Sequence, residues 1–435
     1  MKISLINHGC AKNLVDAELI LGLLAKKGHE ISLDETNADI VIINTCSFIH
    51  DAEQESVQSI LQMINEGKKV IVSGCLSQKY NDELKKAIPE LSGMIGTSNL
   101  KDVIKIIDDL AHGKEYESII QTEPQYVYPE DIERQQITMG ASSYIKIGEG
   151  CNYSCGYCII PKLRGKYISR PIENIVKEAK LLAQKGVTEI ILIAQDTSSY
   201  GIDLYGKQAL PKLLEELNKI EDISWIRIMY AYPTQMTDEL LDAIANLDKV
   251  VKYVDIPLQH SHPRVLKSMK RPVMDYTKLV NKIRDKIPGV SVRTSLIVGY
   301  PGETEEEFQD LYNFVKNVKF DRMGVFEYSR EKNTYSYSLK PQISAKIKKS
   351  RKDKLMKLQQ KISLENNEKY IGSTINCIVE GYTDDGIIIL RSEHDAPEID
   401  GLVYATSERQ TIPGDIEAVT IDRADEYDLF GKILN

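Results

Sequence analysis

Cys151-Asn152-Tyr153-Ser154-Cys155-Gly156-Tyr157-Cys158 is a C-x3-C-x2-C run with an aromatic residue just before its last cysteine. Three thiolates this close in sequence can hold three irons of a cubane iron–sulfur cluster. One iron is then left without a protein ligand, and S-adenosylmethionine can take that position through its amino and carboxylate groups. An electron passed from the cluster into the sulfonium would break a carbon–sulfur bond and release an adenosyl radical. Zinc is the competing reading, but a structural zinc site wants four closed ligands. The chain has 7 cysteines, none follows Cys158 before Cys377, and no second C-x2-C lies at zinc-ribbon distance.

A chain of 435 residues is too long for one ordinary core, so two or three domains are expected. Hydrophobic content of 42% and charged content of 27% are ordinary for a globular protein. No apolar run of roughly 18 residues occurs, so no membrane helix is expected. Met1-Lys2-Ile3-Ser4-Leu5 opens directly into a strand-like segment with no signal-peptide pattern, which predicts a cytoplasmic protein without a membrane partner. An odd number of scattered cysteines fits reduced thiols or metal ligands better than disulfides. A net charge of −9 argues against a protein that coats nucleic acid.

Residues 1–120 alternate strand-like and helical runs. Strands are predicted over 3–6, 39–44 and 70–73, with helices over 14–27, 51–66, 81–87 and 100–112. Such alternation builds an open parallel sheet covered on both faces. Cys10, Cys46 and Cys75 each stand just past one of the three strands. In an open parallel sheet ligands bind at the carboxyl ends of the strands, so the three would converge. Glycines beside Cys10 and Cys75 let backbone approach a bulky group. The convergence points to a second iron–sulfur cluster with three ligands, against the alternative of three inert buried thiols. Asp16 and Glu18 read as a solvated helix start. Residues 121–140 are polar, hold Pro124 and Pro129, and read as a linker or ordered wrap.

Residues 141–335 carry six β-type segments, at 143–146, 188–194, 225–230, 253–257, 291–298 and 321–328, with crossovers between them. Six βα units make a partial (βα)6 barrel with its reactive groups on the loops after the strands. The cluster run follows the first strand. Gln195 and Asp196 can hold the amino group or ribose of the cofactor, although Asp commonly caps a helix as well. Gly299 and Glu303, in Gly299-Tyr300-Pro301-Gly302-Glu303, can pass close to the adenine or form a plain turn. Tyr157 can lie against the adenine. His260 and His262 are equally readable as bases or as caps. Lys162, Arg164, Lys166 and Arg170 read as a solvated basic face, with binding of an acidic or anionic substrate as the alternative.

A lysine-rich helix is predicted over 343–366, within a connector at 336–369. Short β-runs at 374–380, 386–391, 402–405, 415–422 and 427–434 predict a small all-β barrel over 370–435. That segment carries 14 acidic and 4 basic side chains, a net of −10, so the rest of the chain is near +1. It would repel a phosphate backbone and attract a basic protein. Cys377 reads as a packed thiol.

The cysteine run resembles the signature of the radical S-adenosylmethionine superfamily. Together with three N-terminal cysteines and a terminal β-barrel similar to a TRAM module, the whole chain resembles the methylthiotransferases. Gly9-Cys10-Ala11-Lys12-Asn13-Leu14-Val15-Asp16 and Arg164-Gly165-Lys166-Tyr167-Ile168-Ser169-Arg170-Pro171 look like the branch acting on an aspartate of small-subunit ribosomal protein twelve (uS12), not the tRNA branch. Ala194-Gln195-Asp196-Thr197, Tyr230-Ala231-Tyr232-Pro233 and Tyr427-Asp428-Leu429 agree. Ala17 and Gly148 depart from the branch pattern, at no candidate ligand. The resemblance implies two 4Fe-4S clusters, one held by Cys151, Cys155 and Cys158 and the other by Cys10, Cys46 and Cys75. It implies hydrogen abstraction from the aspartate β-carbon and transfer of a methylthio group to give 3-methylthioaspartate, with one cofactor molecule supplying the radical and another the methyl group. A low-potential electron donor and a sulfur donor are expected partners. No stable nucleic-acid binding is expected, and the enzyme is expected to be a monomer.

Overall fold

The computed structural model describes residues 1–434 except Leu33, Phe48, Ile49, Glu115, Tyr116, Thr138 and Met139, and only the backbone of His50. Six parallel strands form the N-terminal sheet: β1 (Lys2–Asn7), β2 (Glu30–Ser32), β3 (Ile40–Thr45), β4 (Lys69–Gly74), β5 (Gly93–Ile95) and β6 (Glu117–Ile119), in the order β2-β1-β3-β4-β5-β6. The three predicted strands are present: β1 and β4 run one residue further at each end, and β3 is shifted one residue along the chain. β2, β5 and β6 escaped the sequence reading because three residues give too little alternation to register. β3 reads Ile-Val-Ile-Ile-Asn-Thr and is buried throughout, as a strand covered on both faces must be. Helices α1 (Ala11–Lys26), α2 (His50–Asn65), α3 (Cys75–Ala87) and α4 (Val103–Ala111) supply the crossovers. The helix expected from residue 81 starts at Cys75, straight after Gly74 at φ +97°.

Among the described residues, 121–140 hold no helix or strand and form an ordered wrap, with Tyr126 and Tyr128 buried. The part of this expected linker at Thr138 and Met139 lies outside the described residues.

All six predicted barrel strands are present. β7 (Ser142–Lys146) leads into the short strands β8 (Gly148–Glu149) and β9 (Ile168–Ser169), which pair antiparallel and frame the cysteine loop. β10 (Glu189–Ile193) and β11 (Trp225–Ile228) complete one parallel triplet; β12 (Tyr253–Asp255), β13 (Ser291–Val298) and β14 (Arg322–Glu327) form the other. A bridge between Ile226 and Val250 joins the triplets into a partial barrel. The helix Ala345–Asn367 packs back on it through buried Leu355 and Ile362.

β15 (Thr374–Tyr382), β16 (Ile388–Ser392), β17 (Val403–Thr406), β18 (Ile416–Ala424) and β19 (Leu429–Ile433) close into a small barrel in the order β15-β16-β17-β19-β18. Cys377 is packed inside it, with Val379, Leu390 and Val419. This barrel docks by charge. Arg391 and Arg227, both fully buried, share Glu189 of β10. Arg322 pairs with Asp395 at 2.6 Å, and Arg293 with Asp400 at 3.3 Å. Part of the module's acidity therefore faces inward, which composition alone does not reveal. Asp384, Asp385, Glu398 and Asp422 keep an exposed acidic surface.

The N-terminal sheet meets the barrel through a buried cluster of four charges. Arg164 Nη1 donates to Asp16 Oδ2 at 2.6 Å and to Glu149 Oε2 at 3.2 Å. Lys146 donates to Asp16, and to Glu149 at 2.7 Å. Arg134 pairs with Glu18 at 2.7 Å beside it. Asp16 and Glu18 are thus interface groups and not a solvated helix start, each 3% exposed. The basic stretch splits likewise: Lys162 and Lys166 are exposed, whereas Arg164 and Arg170 are buried. A sequence shows that a side chain is charged; only its partners decide whether it can be buried.

Two stability predictions follow from these contacts. Replacing Arg164 by Met leaves two buried carboxylates facing Lys146 alone and should cost about 3–5 kcal/mol of unfolding free energy in urea titrations. At Glu189, burial pushes the carboxyl up, but the Arg391 and Arg227 guanidinium groups pull it further down, from 4.5 to about 2. The stabilisation is full above about pH 4.5 and is lost as pH falls towards 2; it amounts to about 3 kcal/mol. Wild type should lose that much more stability than Glu189→Gln between pH 5 and pH 2, and equal losses would remove Glu189 as the clamp.

Candidate iron–sulfur and cofactor site

Cys10, Cys46 and Cys75 stand at the carboxyl ends of β1, β3 and β4, neighbours in the sheet. Asparagines knit their loops together. Asn13 Nδ2 donates to the Thr45 carbonyl at 2.8 Å, and Asn44 Nδ2 to Asn7 Oδ1 at 2.9 Å and to the Asn13 carbonyl at 2.6 Å. Gly9 sits at φ +126°, and a Cβ there would come within 3.1 Å of the Cys46 Cβ. A Cβ on Gly74 would meet the Thr45 carbonyl at 2.6 Å. The cysteine loops approach each other this closely because these two residues lack side chains.

The second trio lies on the loop after β8. Cys151 N–H donates to the Gly165 carbonyl at 3.1 Å, and Gly156 N–H to the Met269 carbonyl at 2.7 Å. A Cβ on Gly156 would lie 2.9 Å from Tyr300 Oη, so that turn also depends on glycine. Tyr153 stacks on Tyr232 with ring centroids 3.6 Å apart and nearly parallel planes, closing one side of the loop.

Several N–H groups aim at the sulfurs. Arg164 Nη2 donates to Cys75 Sγ at 3.5 Å, Arg271 Nη1 to Cys155 Sγ at 3.9 Å, and Ile160 N–H to Cys158 Sγ at 3.4 Å. Such donors favour thiolate over thiol. Burial opposes them, pushing Cys151 up to about 11, Cys158 up to about 12, and Cys75 upward as well. Soft thiolate ligands suit iron–sulfur clusters, and binding iron supplies the positive charge that burial otherwise withholds. Among the described residues, no three His, Cys, Asp or Glu side chains gather tightly enough for a single metal ion. A cubane is broader than an ion, and six thiols in two trios, with no fourth Cys in sequence beside either, fit it.

One side chain links the loop of the second trio to the surroundings of the first. Arg164 follows Cys158 by six residues, at the end of the short helix α5 (Ile160–Arg164), yet its side chain touches Cys75 and Asn13 of the other domain. Neither Arg164 nor Arg271 was singled out for the site from sequence. The basic run around Arg164 was visible, but nothing in it announced a sulfur contact.

The other expected site residues sit as follows. Gln195 donates to Glu149, while its Oε1 is buried without a partner. Asp196 accepts from the Ser198 backbone and hydroxyl and from the Ser199 hydroxyl, so it caps its own turn. Tyr157 packs against Val265, Met269, Tyr300 and Tyr328. Gly299 lies at φ +72° against Lys348. Glu303 accepts from Gly299 N–H at 2.9 Å and pairs with Arg351 at 2.6 Å; burial pushes its carboxyl up to about 7 despite these partners. His260 is fully buried, its Nδ1 accepting from His262 N–H at 3.0 Å, and burial lowers its pKa to about 3. Gln195 and Asp196 follow β10, and Gly299 follows β13, both at the carboxyl ends of barrel strands. Arg271 Nε, also buried and unpartnered, belongs to the same neighbourhood as Cys155.

Family models match in three places: the radical SAM superfamily over residues 145–315, the uncharacterized protein family UPF0004 over 2–96, and the TRAM domain over 371–434. The chain is 50% identical over 436 residues to the ribosomal protein uS12 methylthiotransferase RimO of Caldanaerobacter subterraneus subsp. tengcongensis, with 99% of each chain covered. It is 46% identical over 441 residues to the protein of that name in Clostridioides difficile, covering 100% of this chain and 99% of the other. Among solved structures it resembles the radical S-adenosylmethionine methyltransferase TsrM of Kitasatospora setae, with a TM-score of 0.57 at 16% identity over 75% of this chain and 74% of that one. That likeness is one of fold. Identity of nearly one residue in two extends through the cysteine-bearing sheet, the barrel and the terminal module together, and on that ground the chain belongs to the RimO family of ribosomal protein uS12 methylthiotransferases, within the radical SAM superfamily.

Proposed function

We propose that this enzyme transfers a methylthio group to the β-carbon of an aspartate in uS12, giving 3-methylthioaspartate. The observation that carries the reading is the junction at Arg164, where one side chain from the barrel loop contacts the N-terminal cysteine trio. When bound, one cluster with S-adenosylmethionine supplies one-electron chemistry able to break an aliphatic C–H bond, and the other cluster supplies sulfur. An aliphatic C–H is too weakly acidic for a side-chain base.

The chain's own residues bind and orient. Cys151, Cys155 and Cys158 hold three corners of the first cluster; Cys10, Cys46 and Cys75 hold three corners of the second. Arg271 and Arg164 direct N–H groups at sulfur in each. Tyr157, Gln195, Asp196, Gly299 and Glu303 shape the S-adenosylmethionine side of the barrel mouth, the last two by bracing the loop after β13. The buried charge cluster fixes the barrel loop that follows Cys158 against the sheet that carries Cys75. Residues 1–120, 141–335 and 370–435 act as cluster sheet, radical barrel and docking module, linked by 121–140 and 336–369.

The exposed acids of the terminal module favour a basic protein over a phosphate backbone. A low-potential electron donor and a sulfur donor complete the set of partners. The enzyme works as a monomer in the cytoplasm, where ribosomal proteins are made; among the described residues no helix is long and apolar enough to cross a membrane.

The test is anaerobic reconstitution with S-adenosylmethionine, sulfide and a reductant, offering uS12 or tRNA. The expected result is a gain of about 46 Da on uS12 and none on tRNA; the reverse would sink the proposal. The trios should also separate by mutation. Cys151→Ala should lose about half of the iron and all reductive cleavage of S-adenosylmethionine. Cys75→Ala should lose a similar share of iron, keep that cleavage, and form no methylthio product.

A further inference from the structure

Lys12 stands two residues after Cys10, in the first turn of α1. Its Nζ lies 3.5 Å from the ring centroid of Tyr230. Neighbouring cations are spent on carboxylates: Lys146 and Arg164 on Asp16 and Glu149, Arg134 on Glu18. Among the described residues Lys12 makes no ion pair; its ammonium lies on the aromatic face, with Cys10 and the already paired Glu149 adding to the negative field around it. An aromatic ring attracts a cation without neutralising it, so the charge stays available to an incoming anion.

Tyr230 is held in place at a cost. It follows β11, at the carboxyl end of a barrel strand, with φ +64°. A tyrosine in the left-handed region is strained by about 1–3 kcal/mol, and such strain persists only where surroundings enforce it. Here the Tyr230 N–H donates to Asp255 Oδ2 at 3.1 Å, and its carbonyl accepts from Thr197 N–H at 3.1 Å. The strained residue carries the ring from the barrel mouth to the ammonium of the cluster sheet. The pair therefore spans from the turn just after Cys10 to the carboxyl end of a barrel strand.

We propose that Lys12, seated on Tyr230, binds the side-chain carboxylate of the target aspartate, selecting an acidic side chain and placing its β-carbon between the two cysteine trios. The β-carbon is bonded directly to the carboxylate carbon, so anchoring one fixes the other. Lys12 is a specificity-determining group that touches substrate, and the inference rests on the uS12 reading above.

The test uses reconstituted holoenzyme, full-length uS12, and a uS12 variant with Asn at the aspartate located by the mass gain. Wild type should bind the Asn variant about 10- to 100-fold more weakly than uS12, the range of a charge-assisted contact. Lys12→Met should bind both proteins alike, at the weaker level, and lose at least a similar factor in kcat/KM; Lys12→Arg should recover part of each. Iron and sulfide contents should stay at the wild-type level in both variants. If Lys12→Met still distinguishes Asp from Asn as wild type does, the proposal is wrong. Loss of iron in both variants would make Lys12 a strut between domains and would also overturn it. Failure of the uS12 reading is recognisable separately, because wild type itself would then give no mass gain.

Discussion

Two carboxylates and two cations, shut away from water, decide how the halves of this enzyme meet. Asp16 comes from the cluster sheet; Lys146, Glu149 and Arg164 come from the barrel. Each carboxylate touches both cations, so the net charge is zero and no single partner can be withdrawn without stranding another. At Glu149, burial pushes the carboxyl up and the adjacent Lys146 and Arg164 more than offset it, holding it well below the usual carboxylate range. The interface is therefore sharply defined in geometry. An apolar contact of the same area would tolerate sliding, whereas ion pairs of 2.6 to 3.2 Å do not.

That definition matters because Arg164 belongs to both structure and site. One of its nitrogens closes the charge cluster; the other reaches Asn13 and the sulfur of Cys75. The loop that carries Cys151, Cys155 and Cys158 and the sheet that carries Cys10, Cys46 and Cys75 are thereby held together by one guanidinium, whose planar fork suits several acceptors at once. Glycines contribute in a different way, since Gly9, Gly74 and Gly156 allow backbone approaches that any Cβ would block. Ion pairs fix how the two cysteine-bearing segments meet, and missing side chains let the backbone pack closely around them.

The terminal barrel repeats the principle at the other end. Glu189, on a central barrel strand, receives two arginines, one of them from the β-barrel. Asp395 and Asp400 return the favour to Arg322 and Arg293. Its acidic side chains therefore divide: some dock the module, and the remainder stay exposed.

The fold class, the six barrel strands, the closed terminal barrel and the six cysteines at strand ends or on one loop were all legible in the sequence. Periodicity and spacing are local, and long strands and a C-x3-C-x2-C run carry their meaning within a few residues. Three-residue strands were not legible, being shorter than the period needed to see them. Nor were the fates of charged side chains: Asp16, Glu18, Arg164 and Arg170 looked solvated, and the fold buried all four. Asp196 is capped by Ser198 and Ser199, and Glu303 is held by Gly299 and by Arg351 of a distant helix; the Tyr230 ring against Lys12 is likewise invisible in the sequence. The sequence by itself determined which elements form and where the thiols lie along them, because those depend on neighbours in the chain. Only the tertiary structure decided which charges are neutralised and which is left over, because burial and pairing depend on partners as far as 252 residues away.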